Sequence, residues 1–200
     1  MFKNILKLLL ILILFSFSSC WEDSGTNDKE AKETEQTEQK NNSKLRNYPW
    51  KDFSMGIPKT WNNITKEKDI ITKPRNWKIE LAVTSTQTKW GFSNTLIILS
   101  QTLEKYTTSK RYSITNSVWA KNDYLNYYEI ENKNFNFNDW EKSKLYIFKA
   151  KYNTQTSVFK FIQTAYVCNN NKAFFITIAL STSIEDTKRY EDMIKTFKCK

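Results

Sequence analysis

The stretch SVFKFIQTAYVCNNNKAFFITIAL, residues 157–180, decides the fold. It holds two apolar runs rich in β-branched and aromatic residues, 157–168 and 172–180, separated by Asn169-Asn170-Asn171. Runs of that length and composition read as strands. Asn adopts positive φ more readily than most residues, so three in a row make a tight reversal. The stretch is therefore an antiparallel hairpin. Just upstream, residues 144–152 form a third long strand. Downstream, Ser183-Ile184-Glu185-Asp186 opens a closing helix, with Ser183 as N-cap and acids in the first turn. Tyr190, Met193, Ile194 and Phe197 then recur at i, i+3, i+4 and i+7, the spacing of one buried face.

Working back toward the N-terminus, residues 48–57 alternate as an opening strand that Pro58 ends, and 59–63 form a turn. Residues 78–84 (KIELAVT) read as a strand, and 95–100 (TLIILS) as a central strand buried on both faces. A helix of modest propensity occupies part of 103–118, a strand follows over 124–132, and 134–139 form a turn-rich connection. Strands and hairpins, one middle helix, more strands and a closing helix predict an α+β fold. Its core is a mostly antiparallel β-sheet flanked by helices.

The chain of 200 residues is 40 % hydrophobic and 15 % aromatic, ample for one folded domain. It contains no histidine, which removes the usual general base near neutral pH and the commonest metal ligand. His-dependent triads and His-ligated zinc sites are excluded. The net charge of +10 is unevenly placed: residues 21–45 carry −3 and residues 46–200 carry +11. A basic domain near an anionic surface is attracted by about 1 kcal/mol per cation. The favoured reading is plainer: an AT-rich genome favours Lys, Asn and Ile codons, and the lysines spread over solvated faces. No nucleic-acid-binding motif occurs.

Residues 21–47 are rich in Glu, Lys, Gln, Thr and Asn and almost devoid of apolar side chains after Trp21. Such a segment buries too little surface to offset backbone ordering, and reads as a disordered tether of roughly 30 Å r.m.s. reach. Before it stands MFKNILKLLLILILFSFSSC, residues 1–20. Lys3 and Lys7 precede an apolar run from 8 to 17, half the ~20 residues a helix needs to span a bilayer. A basic flank, a short apolar core and small residues before a cut site describe a secretory signal.

Phe17-Ser18-Ser19-Cys20 resembles the lipobox of bacterial lipoproteins, with Phe17 in place of the usual leucine. The resemblance implies a signal peptide at 1–19 and a diacylglyceryl group on the Cys20 thiol. It implies a lipidated Cys and tether at 20–47 and a folded domain at 48–200. The protein would be held by lipid at Cys20 on the extracytoplasmic side of a bacterial membrane. Trp21, rather than Asp, follows the cysteine and points to the outer membrane in a two-membrane cell.

A second resemblance lies in the domain. Phe53-Ser54-Met55-Gly56-Ile57-Pro58-Lys59-Thr60-Trp61 is similar to the strand-Pro-x-x-Trp opening of PsbP/Mog1-like proteins. The Asn-led strand from Asn94 and the closing Thr196-Phe197-Lys198 are similar to later parts of that family. The resemblance implies an α/β/α sandwich and a noncatalytic binding or accessory role. It supplies no functional residue.

Cys168 and Cys199 are too few for a Cys-only zinc site. Outside the cytoplasm they form either a disulfide or two separate thiols. The disulfide is favoured by Cys168 ending a strand and Cys199 following a helix that returns over the sheet. Glu129 and Glu131 sit two apart on a strand, which places both on one face. Their spacing is admissible for a glycosidase pair, but Asn, Lys and Tyr neighbours describe a solvated face. Tyr124, Tyr127, Tyr128, Phe135, Phe137, Trp140 and Tyr146 fit hairpin pairs and core. Alternatively they form an aromatic surface for an envelope polymer or small ligand. No P-loop, Gly-x-Ser-x-Gly elbow or Gly-rich fingerprint is present. No catalytic residue, metal site or cofactor is expected, and binding of an envelope protein partner is favoured over turnover.

Trp (7) outnumbers Gly (3), against a usual Gly near 7 %. Trp90 and Trp140 fall where loops favour Gly. One explanation is a reassigned stop codon that the source cell reads as Gly.

Overall fold

The computed structural model describes residues 45–66, 76–89 and 92–200. Cys20, the expected signal segment, most of the expected tether and Trp90 lie outside them. Ten strands and two helices are defined among the described residues: β1 (Leu45–Pro49), β2 (Phe53–Pro58), β3 (Trp61–Asn63), β4 (Lys78–Lys89) and β5 (Phe92–Thr102) come first. Helix α1 (Ser109–Asp123), β6 (Leu125–Asn136), β7 (Lys142–Lys151), β8 (Phe159–Val167) and β9 (Lys172–Leu180) follow. Helix α2 (Lys188–Lys195) and β10 (Lys198–Cys199) close the chain.

Seven strands form one antiparallel sheet in the order β3-β4-β5-β9-β8-β7-β6. A small second sheet has the order β1-β2-β10. The fold is α+β and mostly antiparallel, with β7, β8 and β9 close to their sequence-based bounds. Residues 95–100 are buried throughout and lie inside β5, between β4 and β9.

The main sheet separates two layers. On one face Leu96, Ile98, Leu145, Ile147, Ile162, Ile176 and Ile178 meet β2 and α2. Phe53 from β2 stacks on Phe197, 5.1 Å between centroids, and meets Phe174 edge-on at 5.3 Å. Tyr190, Met193 and Ile194 of α2 and Phe197 just beyond it are all buried there, as their spacing predicts. On the other face α1 lies over β7 and β8, and Ala120 packs with Tyr146, Phe148, Ala150 and Phe161.

Several boundaries differ from the sequence reading, each for a local reason. The opening strand is a hairpin. Trp50 N donates to Phe53 O at 2.8 Å, and β1 starts at Leu45, inside the stretch read as tether. Leu45 pairs with Pro58 across β2, which gives residues 45–47 hydrogen-bonding partners despite their polar composition. Gly56 is a close-approach position: a Cβ there would come within 3.0 Å of Leu45 Cδ1 and 3.1 Å of Thr196 Oγ1. Its N–H donates to that Thr196 oxygen at 2.8 Å.

The middle helix runs later than expected and is docked by polar groups. Its buried side carries Ser109, Tyr112, Ser113, Asn116, Ser117 and Ala120, so it lacks an apolar stripe. Ser113 donates to Lys144 O at 2.7 Å, and Val167 N donates to Ser109 Oγ at 2.7 Å. Thr108 caps it, accepting from Arg111 N. The closing helix starts at Lys188, with Thr187 rather than Ser183 at its N-cap position. Asp186 still serves the helix start, accepting from Lys188 N at 2.8 Å.

Candidate functional site

Cys168 and Cys199 form a disulfide with Cα atoms 6.0 Å apart. Cys168 follows β8, and Cys199 lies in β10, whose two residues pair with Phe53 and Ser54 of β2. The bond therefore ties the main sheet to the small one beside the Phe53–Phe197 stack.

Glu129 and Glu131 are not brought together. The pairing of β6 with β7 slips between them, so Glu129 faces Phe148 and Glu131 faces Ile147. A bulge breaks strict alternation and turns successive odd positions to opposite faces. Glu129 pairs with Lys121 of α1 at 2.9 Å on one side of the sheet. On the other, Lys133 bridges Glu131 and Glu191 of α2, both at 3.0 Å. Each carboxylate is held by a lysine, and the two occupy separate layers.

The seven aromatics also divide. Phe135 and Phe137 enter the α2-side core, where Phe137 meets Tyr166 edge-on at 4.9 Å. Tyr146 is buried on the α1 side. Tyr127 stacks on Phe148 at 4.6 Å, and Tyr124 packs on Phe161 at 5.0 Å. Only Tyr128 and Trp140 of the seven stand out into solvent. Burial pushes the Tyr124, Tyr127 and Tyr152 hydroxyls above the ordinary tyrosine range, so none is poised as a base or nucleophile.

The main polar cluster was not singled out from sequence. Glu80 on β4, 4 % exposed, accepts from Lys78 Nζ at 2.9 Å, Ser100 Oγ at 2.7 Å and Lys172 Nζ at 2.8 Å. Lys172 also reaches Asp52 Oδ2 at 2.6 Å, just before β2. Burial pushes the Glu80 carboxyl up, but the bonds from Lys172, Lys78 and Ser100 outweigh it and hold it below the ordinary range. Burial alone would lower Lys172, yet its bonds to Asp52 and Glu80 raise it. A carboxylate so fully engaged is a clamp between sheets, not a proton acceptor near neutral pH. The sequence signal was an isolated Glu inside an apolar strand, which calls for a buried cation.

Lys160, 7 % exposed, donates from Nζ to Ile184 O. Burial lowers its pKa, the nearby Lys149 charge adds to that, and Glu185 opposes both. The residue ties β8 to the segment before α2. Among the described residues no group of three or more Cys, Asp or Glu could hold a metal ion. No described helix is long and apolar enough to cross a membrane.

No protein-family model matches the chain, and no curated protein sequence matches it. A crystal structure from Bacteroides thetaiotaomicron VPI-5482 is similar over 80 % of this chain at 12 % identity, with a TM-score of 0.46. The match spans about half of that protein, 49 % of its length.

Proposed function

We propose that this chain is a bacterial lipoprotein, anchored by lipid at Cys20, whose extracytoplasmic domain works by binding and not by turnover. One observation carries the reading: a short apolar run from 8 to 17 closes on Phe17-Ser18-Ser19-Cys20 behind a basic start. A lipid-modified cysteine needs this order of parts, and a run of that length is too short to stay as a spanning helix. The acidic tether carries −3 over residues 21–45 and lets the basic domain, +11 over 46–200, meet a partner in the envelope.

The absence of histidine from the sequence supports binding over turnover. So do the lysine partners that hold Glu80, Glu129 and Glu131. The envelope-polymer reading gains nothing from the aromatics, which lie on both faces of the sheet. The same proposal covers the finer fold: a PsbP/Mog1-like α/β/α sandwich. It is supported by the Phe53–Trp61 motif and by helices on opposite faces of one antiparallel sheet.

The test is Cys20→Ala in a cell that processes lipoproteins, followed by fractionation. Loss of processing and release from the membrane fraction support the anchor. Unchanged processing and retention count against it. Crosslinking in the envelope with the native lipidated protein then identifies the partner.

A further inference from the structure

Two hairpins in this molecule share one turn geometry. Between β8 and β9, Cys168 N donates to Lys172 O at 2.9 Å and Asn171 N donates to Cys168 O at 3.1 Å. Between β6 and β7, Phe137 N donates to Glu141 O and Trp140 N donates to Phe137 O, both at 3.0 Å. Each is a three-residue loop whose third residue is left-handed, Asn171 at φ 58° and Trp140 at φ 70°. That third position is the one a type I turn with a following bulge reserves for glycine.

Four non-glycine residues among those described have positive φ, and three are Asn. Asn reaches this region at modest cost; a bulky residue there is an outlier. Contacts do not explain the fourth. The Trp140 side chain is 81 % exposed and pairs with no other ring among the described residues. The other described tryptophans sit on ordinary backbone, and three of them are packed. Trp61 is buried, Trp50 stacks on Phe53 and Trp77 packs on Phe175, while Trp119 is exposed but sits on the ordinary helical backbone of α1. The turn itself is fixed: Asn138 N donates to Lys195 O at 2.9 Å and Asp139 accepts from Tyr166 Oη at 2.7 Å. Those bonds hold the two residues that lead into position 140.

We infer that position 140 is a glycine position, and that the codon read as Trp there is a reassigned stop triplet which the cell of origin decodes as Gly. The composition, seven Trp against three Gly, points the same way independently of the geometry. The protein made in its own cell then presents a bare turn at the β6–β7 tip. Tyr128 is left as the one exposed member of the seven aromatics.

The test is the mass of the tryptic peptide 134–142 from protein purified from its native cells. A Gly mass at position 140 is expected, and a Trp mass overturns the inference. A second measurement addresses the geometry: urea unfolding of the chain expressed with Trp140 and as Trp140→Gly, with Asn171→Gly as reference. Trp140→Gly should raise the folding equilibrium constant roughly threefold or more, because relief of left-handed strain exceeds the added backbone entropy. Asn171→Gly should change it less. A Trp140→Gly chain no more stable than its parent overturns the glycine assignment.

Discussion

Opening the Cys168–Cys199 bond releases a loop closed by residues 31 apart in sequence. The chain-entropy relation for that separation gives about 3.7 kcal/mol, a large share of the ~5–15 kcal/mol that holds a domain of this size. The bond matters beyond entropy because β10 has only two residues, and its pairing with β2 is Lys198↔Ser54 and Cys199↔Phe53. Reduction should therefore weaken the small sheet and the Phe53–Phe197 stack behind it. The perturbation is the double variant Cys168→Ala, Cys199→Ala, beside the parent chain with and without reductant. Urea titrations followed by tryptophan fluorescence and by far-UV circular dichroism should show the variant and the reduced parent less stable by about 3–4 kcal/mol. Two probes are needed because early loss of the β1-β2-β10 sheet would separate the curves. Equal midpoints with and without reductant, or two titratable thiols in the unreduced folded protein, would show that no such bond stabilises the domain.

Two further outcomes follow from the core and the polar clamp. Phe197 is fully buried against Phe53, Phe174 and Tyr166, so Phe197→Ala should cost about 3–5 kcal/mol in chemical denaturation, and Phe197→Leu markedly less. Glu80 titrates below its ordinary 4.5, so its stabilisation is complete above that pH and is lost as pH falls through the lower folded value. Glu80→Gln should cost about 2–3 kcal/mol at neutral pH and flatten the acid limb of the stability profile. An acid limb as steep as the parent's would place the titrating group elsewhere.

Legibility differed by element for physical reasons. The hairpin of β8 and β9 and the buried β5 were readable because continuous apolar runs between turn residues leave little choice of structure. Helix α1 was displaced in the reading because its docking side is serine, asparagine and alanine, held by hydrogen bonds to strand backbone. The split of Glu129 from Glu131 was invisible, since alternation carries no mark of a bulge. The Glu80–Lys172–Asp52 clamp joins residues far apart in sequence, and only the register of β4, β5 and β9 assembles it. Cys20 rests on local sequence alone, where the order of charge, apolar run and small residues is itself the signal.

The lipid anchor is tested by intact mass and fragmentation of the protein extracted from native membranes. The expected N-terminal fragment begins at Cys20 and carries a diacylglyceryl thioether. A mature chain that begins elsewhere, or at an unmodified Cys20, would contradict it.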